Sequence, residues 1–280
     1  MMDSSMTRIL SVVVLCTGMT CHSFAADEQW RERTSAGEDF TSSDVAAEVA
    51  YGREIAARIL GRYKPYADPA MVKYVNLVGL TLARNTNRPE LDYHFMVLDT
   101  DEVNAYATPG GYVFITRGAL KYMQDESELA GTLAHEISHV TERHVVKELK
   151  IKGTDESAVA GLAQLVGGAS ESTRTAFAQA VEQGLDLIFR NGYKREDEML
   201  ADKMAVSITA LSGYDPAGLA RYLDRIGAFK DKEQVVTDRV HPPSSERADQ
   251  ILRVMSENGI DSGSLATDTE RFVAAIGKLP

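Results

Sequence analysis

The chain has 280 residues, 44% of them hydrophobic and 25% charged, an ordinary globular composition that excludes wholesale disorder. Thirty Lys and Arg stand against 41 Asp and Glu, a net charge of −11 at pH 7, with no run of basic residues. That balance speaks against a nucleic-acid partner, which would need a basic face.

Residues 1–25 have the layout of a cleaved secretory signal. Arg8 is the positive n-region, Ile9 to Leu15 the apolar stretch, and Ser23-Phe24-Ala25 a small-x-small cleavage site. The stretch is too short to cross a bilayer, which takes about 20 residues. A buried N-terminal helix is the competing reading. Lipidation is disfavoured, because Leu15 before Cys16 and Thr20 before Cys21 are poor neighbours for a lipidated cysteine. Both cysteines fall inside this segment, so the mature chain from about Ala26 has none. Disulfides and thiol catalysis are then excluded. Asp3 and Arg8 cancel, so removal of the signal leaves the charge at −11. No later apolar run reaches membrane-spanning length. The expectation is a soluble exported protein.

After an N-terminal extension (26–43), residues 44–280 are expected to form a single domain. The spacing predicts a helix over 44–63, capped by Ser43, and another over 69–84, opened by Asp68 and Pro69. Tyr93 to Asp99 alternates like a strand, Val103 to Tyr106 is a short second one, and Pro109-Gly110-Gly111 turns into a third over Tyr112 to Thr116. From Glu126 the pattern is helical to about Lys150. Residues 152–175, rich in Gly, Ala, Ser and Thr, look loosely ordered. Phe177 to Phe189 is a helix candidate ended by Gly192, and Arg195 to Leu211 is another. Gly213-Tyr214-Asp215-Pro216 closes that helix and opens the next. After His241-Pro242-Pro243 a further helix covers 244–257. The fold class is α+β, mainly helical with a small sheet.

The chemistry lies in His135-Glu136-Ile137-Ser138-His139, inside the helix SELAGTLAHEISHVTERH. Residues four apart are about 40° apart around a helix and one turn along it, so two imidazoles share one face. Two neutral ring nitrogens there can meet one Zn²⁺ at about 2.0–2.1 Å. Glu136 falls beside the metal, where it can carry a proton from water to a leaving amine. Leu129, Leu133, Ala134, Ile137 and Val140 make the helix apolar, and buried imidazoles without a ligand would be costly.

A catalytic zinc needs a third protein ligand and an open position. His144 follows His139 by five residues, about 140° around a continuous helix, and is therefore predicted to face elsewhere. Glu198 fits best, with Asp202 one turn on in EMLADKMAVSI. Glu198 would hold the metal and Asp202 would hydrogen-bond a ligand imidazole. An ordinary solvated acidic pair is the alternative, weakened because His135 and His139 need a partner.

With those residues in view, the chain resembles metallopeptidase family forty-eight, the gluzincins of HtpX, CAAX prenyl protease and BepA type. The matching segments are AYATPGGYVFITRGAL (105–120), ELAGTLAHEISHVTERH (128–144), EMLADKMA (198–205) and HPPSSER (241–247), spread over most of 45–255. The resemblance implies a helical zincin-like catalytic domain, one Zn²⁺ per chain and endopeptidase activity. A soluble exported form is most similar to the periplasmic BepA-like branch. No helical-repeat module follows the catalytic domain, so partner recognition through one is not expected.

The resemblance also implies roles for other residues. Asn104-Ala105-Tyr106 would be an edge strand pairing with an extended substrate and lining the cleft, a plain core strand being the alternative. His241 would occupy the open zinc position as a latch, the alternative being a surface loop histidine. Arg247 would steady the oxyanion, against a surface helix arginine. The expected function is hydrolysis of misfolded or misassembled envelope proteins by a zinc-activated water, with Glu136 as general base. Polypeptides, among them outer-membrane proteins or their assembly machinery, would be the partners, and a Gram-negative periplasm the location. A chaperone-like quality-control binder with latent protease activity is the second reading.

Overall fold

A computed structural model describes residues 40–151, 171–229, 240–277 and 279. The signal, the extension up to residue 39 and most of the 152–175 stretch lie outside the described residues. Helix α1 (Ser42–Arg62) is capped by Thr41, two residues before the predicted Ser43. Asp44 decides this: its Oδ2 takes the Thr41 N–H at 2.8 Å while Thr41 Oγ1 takes the Asp44 N–H at 3.3 Å, a reciprocal box that Ser43, with Ala46 three residues on, has no carboxylate to close. Helix α2 (Pro69–Ala83) opens as predicted, Asp68 Oδ1 accepting from Ala70 N and Met71 N.

Three strands follow: β1 (His94–Leu98), β2 (Ala105–Thr108) and β3 (Tyr112–Thr116). Their order is β1-β3-β2, with β1 parallel and β2 antiparallel to β3, so β2 is an edge. It begins two residues later than the predicted Val103. At Asn104 the side chains intervene: Thr116 Oγ1 takes the Asn104 N–H, and Asn104 Oδ1 takes that of Ala105. The β2–β3 turn needs its glycines, since Gly110 (φ 78°) and Gly111 (φ 96°) sit in the left-handed region.

After α3 (Arg117–Tyr122) comes α4 (Glu126–Thr141), every residue of which is buried. It packs against α7 (Arg195–Leu211), α8 (Ala217–Gly227), α2 and β2. Leu129, Leu133 and Ile137 are fully buried along it. Each is worth about 1.5–3 kcal/mol of burial, and together they fix the rotation of the helix about its axis. Gly131 lets α8 approach, because a Cβ there would stand 2.7 Å from Leu219 Cβ.

The predicted run to Lys150 is interrupted. Arg143 adopts φ 58°, and α5 (His144–Glu148) sets off anew. A buried triad over-determines that turn. Glu48 Oε2 on α1 accepts from Arg143 Nε at 2.9 Å and Arg88 Nη2 at 3.2 Å, and the Phe40 ring lies 4.3 and 5.0 Å from the two guanidinium carbons. Helix α6 (Glu171–Asp186) ends in a wider turn (Leu187–Asn191) before Gly192 (φ 68°), so the predicted stop at that glycine holds. Helix α9 (Ser244–Glu257) matches its prediction, whereas the final helix α10 (Thr269–Ile276) was not predicted. It is tied to the start of α4 by Arg271, which donates to Glu126 through Nε and Nη2. Among the described residues no helix is long and apolar enough to cross a membrane.

Candidate metal centre and active site

Helix α4 turns His135 and His139 toward α7, their Nε2 atoms 3.1 Å apart. Glu198, in the first turn of α7 and fully buried, lies across from both: Oε2 is 3.5 Å from His135 Nε2 and Oε1 3.6 Å from His139 Nε2. His241, on the proline-flanked loop before α9, brings Nδ1 to 2.7 Å from Glu198 Oε2. These four donor atoms all lie within 4.8 Å of one another. Ligands at about 2.0–2.2 Å from a tetrahedral zinc stand roughly 3.3 Å apart, so the 3.1–3.6 Å spacings of the first three fit that ion. A carboxylate and imidazoles are also the donor types zinc takes, and a buried carboxylate needs such compensation.

His135 is backed from α7. Asp202, one turn along α7, has Oδ1 2.9 Å from His135 Nδ1, with Arg247 Nη2 3.0 Å from the same nitrogen; an Nδ1 proton directed to Asp202 leaves Nε2 free to face the cluster. Asp202 is gripped by Arg247, through Nε at 3.1 Å and Nη2 at 2.7 Å. Arg247 is therefore a buried residue of α9 rather than a surface one, and two of its nitrogens are already engaged. Burial would raise the Asp202 carboxyl, but Arg247 and His135 outweigh it and hold the group below its ordinary value. For Glu198 burial is outweighed in the same way, mainly by His241 and His135, and its value falls well below the usual range. Glu136 differs: burial raises its carboxyl despite His135 and His241, the direction that suits a proton acceptor.

Glu136, His135, His241 and Arg247 line one cavity of about 320 Å³ with Asn104, Ala105, Thr132 and three side chains of α8, Leu219, Tyr222 and Leu223. The edge strand forms one wall. Because Thr116 N–H donates to Asn104 O and Tyr106 faces Phe114, the Ala105 and Ala107 peptide groups alternate away from β3. Of the predicted trio, Asn104 and Ala105 reach the cavity. The Tyr106 ring instead packs at 4.6 Å from that of Phe189, in a second core cluster.

Two neighbours escaped sequence reasoning. Tyr193 stacks on the His139 ring at 4.1 Å between centroids and 18° between planes. Its only sequence signal is an aromatic placed directly after the helix-ending Gly192. His144, predicted to face away, has its Nδ1 2.8 Å from His139 Nδ1, because the break at Arg143 invalidates the continuous-helix angle. Burial and then Lys147 push the His144 imidazole down to about 4, so it is neutral at pH 7.

Residues 69–254 match the profile described as Peptidase family M48. The chain belongs to peptidase family M48. The M48 chain is 26% identical over 226 residues to the beta-barrel assembly-enhancing protease of Escherichia coli K12, an alignment covering 77% of this chain and 44% of that protein. It thus spans less than half the length of that relative. Metalloprotease LoiP of the same organism is 28% identical over 197 residues, 69% of this chain and 74% of LoiP. Metalloprotease YcaL is 26% identical over 211 residues, 75% and 80% of the two chains.

Proposed function

We propose that this M48 chain is a zinc-dependent endopeptidase, exported by residues 1–25, that cleaves misfolded or misassembled cell-envelope polypeptides. The observation that carries the reading is the convergence of four donors, His135, His139, Glu198 and the loop's His241, within 4.8 Å of one another, beside a cavity lined by His135, His241 and the independent carboxylate of Glu136. His135, His139 and Glu198 would hold the ion. When bound, Zn²⁺ supplies Lewis acidity, polarising a carbonyl and making water a better nucleophile. The rest falls to the chain's own groups. The Ala105 carbonyl, on the side of the strand away from β3, would accept from an extended substrate's main chain, and the Ala105 N–H would join it once released by Asn104 Oδ1. Glu136, raised by burial, takes the proton of the attacking water and passes it to the leaving amine. Arg247 lines the cavity, and its role beyond Asp202 is to steady the developing oxyanion. The envelope setting is supported by the signal-like N-terminus and by relatives named for beta-barrel assembly.

A second reading, a chaperone-like binder with latent protease activity, is favoured by one contact, the His241–Glu198 hydrogen bond that holds His241 among the metal-competent donors. In it His241 is a latch, released when the loop moves. Casein cleavage by wild type and Glu136→Gln separates the two. An endopeptidase loses at least about 10²-fold in turnover with zinc and fold retained. Equal turnover would remove Glu136 from the chemistry, and no turnover in either would leave the binder.

A further inference from the structure

The break at Arg143 returns the chain so that a fourth histidine abuts the site from behind. His144 and His139 are both about 2% exposed, with Nδ1 atoms 2.8 Å apart and rings crossing at 71°. His139 turns its Nε2 to His135 and Glu198. A ring nitrogen that offers its lone pair to a metal carries no proton, so the proton of neutral His139 sits on Nδ1. That N–H points at His144 Nδ1, which must accept, and the proton of His144 then belongs on Nε2. His144 Nε2 is buried with no hydrogen-bond partner among the described residues, and Asp197 Oδ1 lies 3.7 Å from it.

We infer that His144 is a positioning residue, the acceptor that fixes the tautomer and ring angle of His139 as Asp202 does for His135. This rests on the metal reading given above. The two supports differ in charge for a physical reason. Asp202 is neutralised by the two-pronged grip of Arg247, whereas among the described residues no cation is bonded to the His139 side, so a carboxylate there would be a further buried charge. A neutral imidazole supplies the acceptor without that cost. Tyr193 completes the clamp from the ring's face, at 4.1 Å.

The test is zinc affinity, read by competition with a chelator, together with metal-free melting temperature. His144→Leu and His144→Phe remove the acceptor, the second while keeping a ring's volume. His144→Asn restores it, since the amide oxygen falls near the place of Nδ1. The expected result is zinc bound roughly 10–100-fold more weakly by the Leu and Phe variants, with the Asn variant close to wild type. Wild-type affinity in the Leu and Phe variants would overturn the assignment. So would an Asn variant no better than Phe, or metal-free stability lost in all three with affinity unmoved. A wild type that takes up no zinc would overturn the metal reading itself, and this inference with it.

Discussion

Replacing Glu48 by Ala should be among the most damaging single changes away from the cavity. Glu48 is fully buried, and its carboxylate serves two cations that are themselves only 2% (Arg88) and 8% (Arg143) exposed. Arg88 retains Glu90 when the carboxylate goes. Among the described residues Arg143 then keeps only the Phe40 ring, 4.3 Å away, and a cation–π contact of about 0.5–2 kcal/mol does not replace a buried charge pair. Breaking such a pair by removing one partner costs about 3–5 kcal/mol. At about 2–4 °C per kcal/mol for a domain of this size, the melting temperature should fall by roughly 6–20 °C. A second consequence separates this site from any other core defect. The left-handed turn at Arg143 costs about 1–3 kcal/mol of backbone strain, which the triad holds in place. Once released, α4 tends to run straight through 143, swinging His144 about 140° from His139. Zinc affinity should therefore fall along with stability. Denaturant unfolding of the metal-free protein and chelator competition measure the two. A loss under about 1 kcal/mol, or full zinc affinity in a folded variant, would refute the reasoning.

Glu198→Ala should abolish stoichiometric zinc binding, read by elemental analysis; retained zinc would mean another residue is the third ligand. His241→Ala should keep zinc and raise proteolysis, by up to about tenfold if the closed loop is favoured by about 1.4 kcal/mol. A less active variant with unchanged zinc and melting temperature would replace the latch with a transition-state role for His241. Glu126 is a test in pH. Burial would raise its carboxyl, but Arg271, Tyr214 and Tyr74 outweigh this and hold it below the ordinary 4.5. A carboxyl lowered on folding contributes stability that is whole above its unfolded value and drains as pH falls through the folded one. Glu126→Gln should therefore be destabilised at pH 7 by about 1–3 kcal/mol, with the gap to wild type narrowing below pH 4.5. A gap that does not narrow would refute the assignment.

The parts of the site that lie on one regular element were legible in the sequence. His135 and His139 are one helical turn apart, and Glu198 and Asp202 repeat that spacing on α7, so periodicity alone put the metal-competent side chains on facing sides of the two helices. The three strands were legible for the same reason, to within two residues. What failed depended on contacts between distant segments. Nothing near Arg143 announces φ 58°, because the residue that imposes it, Glu48, is 95 positions earlier. The angle drawn for His144 then pointed the wrong way. Arg247 gave no sign of burial, since its partner Asp202 is 45 positions away. Helix α10 is short, and its apolar signal is only Phe272 and Ile276, one turn apart and both buried in the main core, with Arg271 donating to Glu126.

The most direct test of the central claim is an anomalous-difference map at the zinc absorption edge from crystals of the wild-type protein. The account predicts one peak per chain, about 2.0–2.2 Å from His135 Nε2, His139 Nε2 and a Glu198 carboxylate oxygen. A zinc-loaded chain with no peak there, or with a peak that Glu198 does not touch, would contradict it.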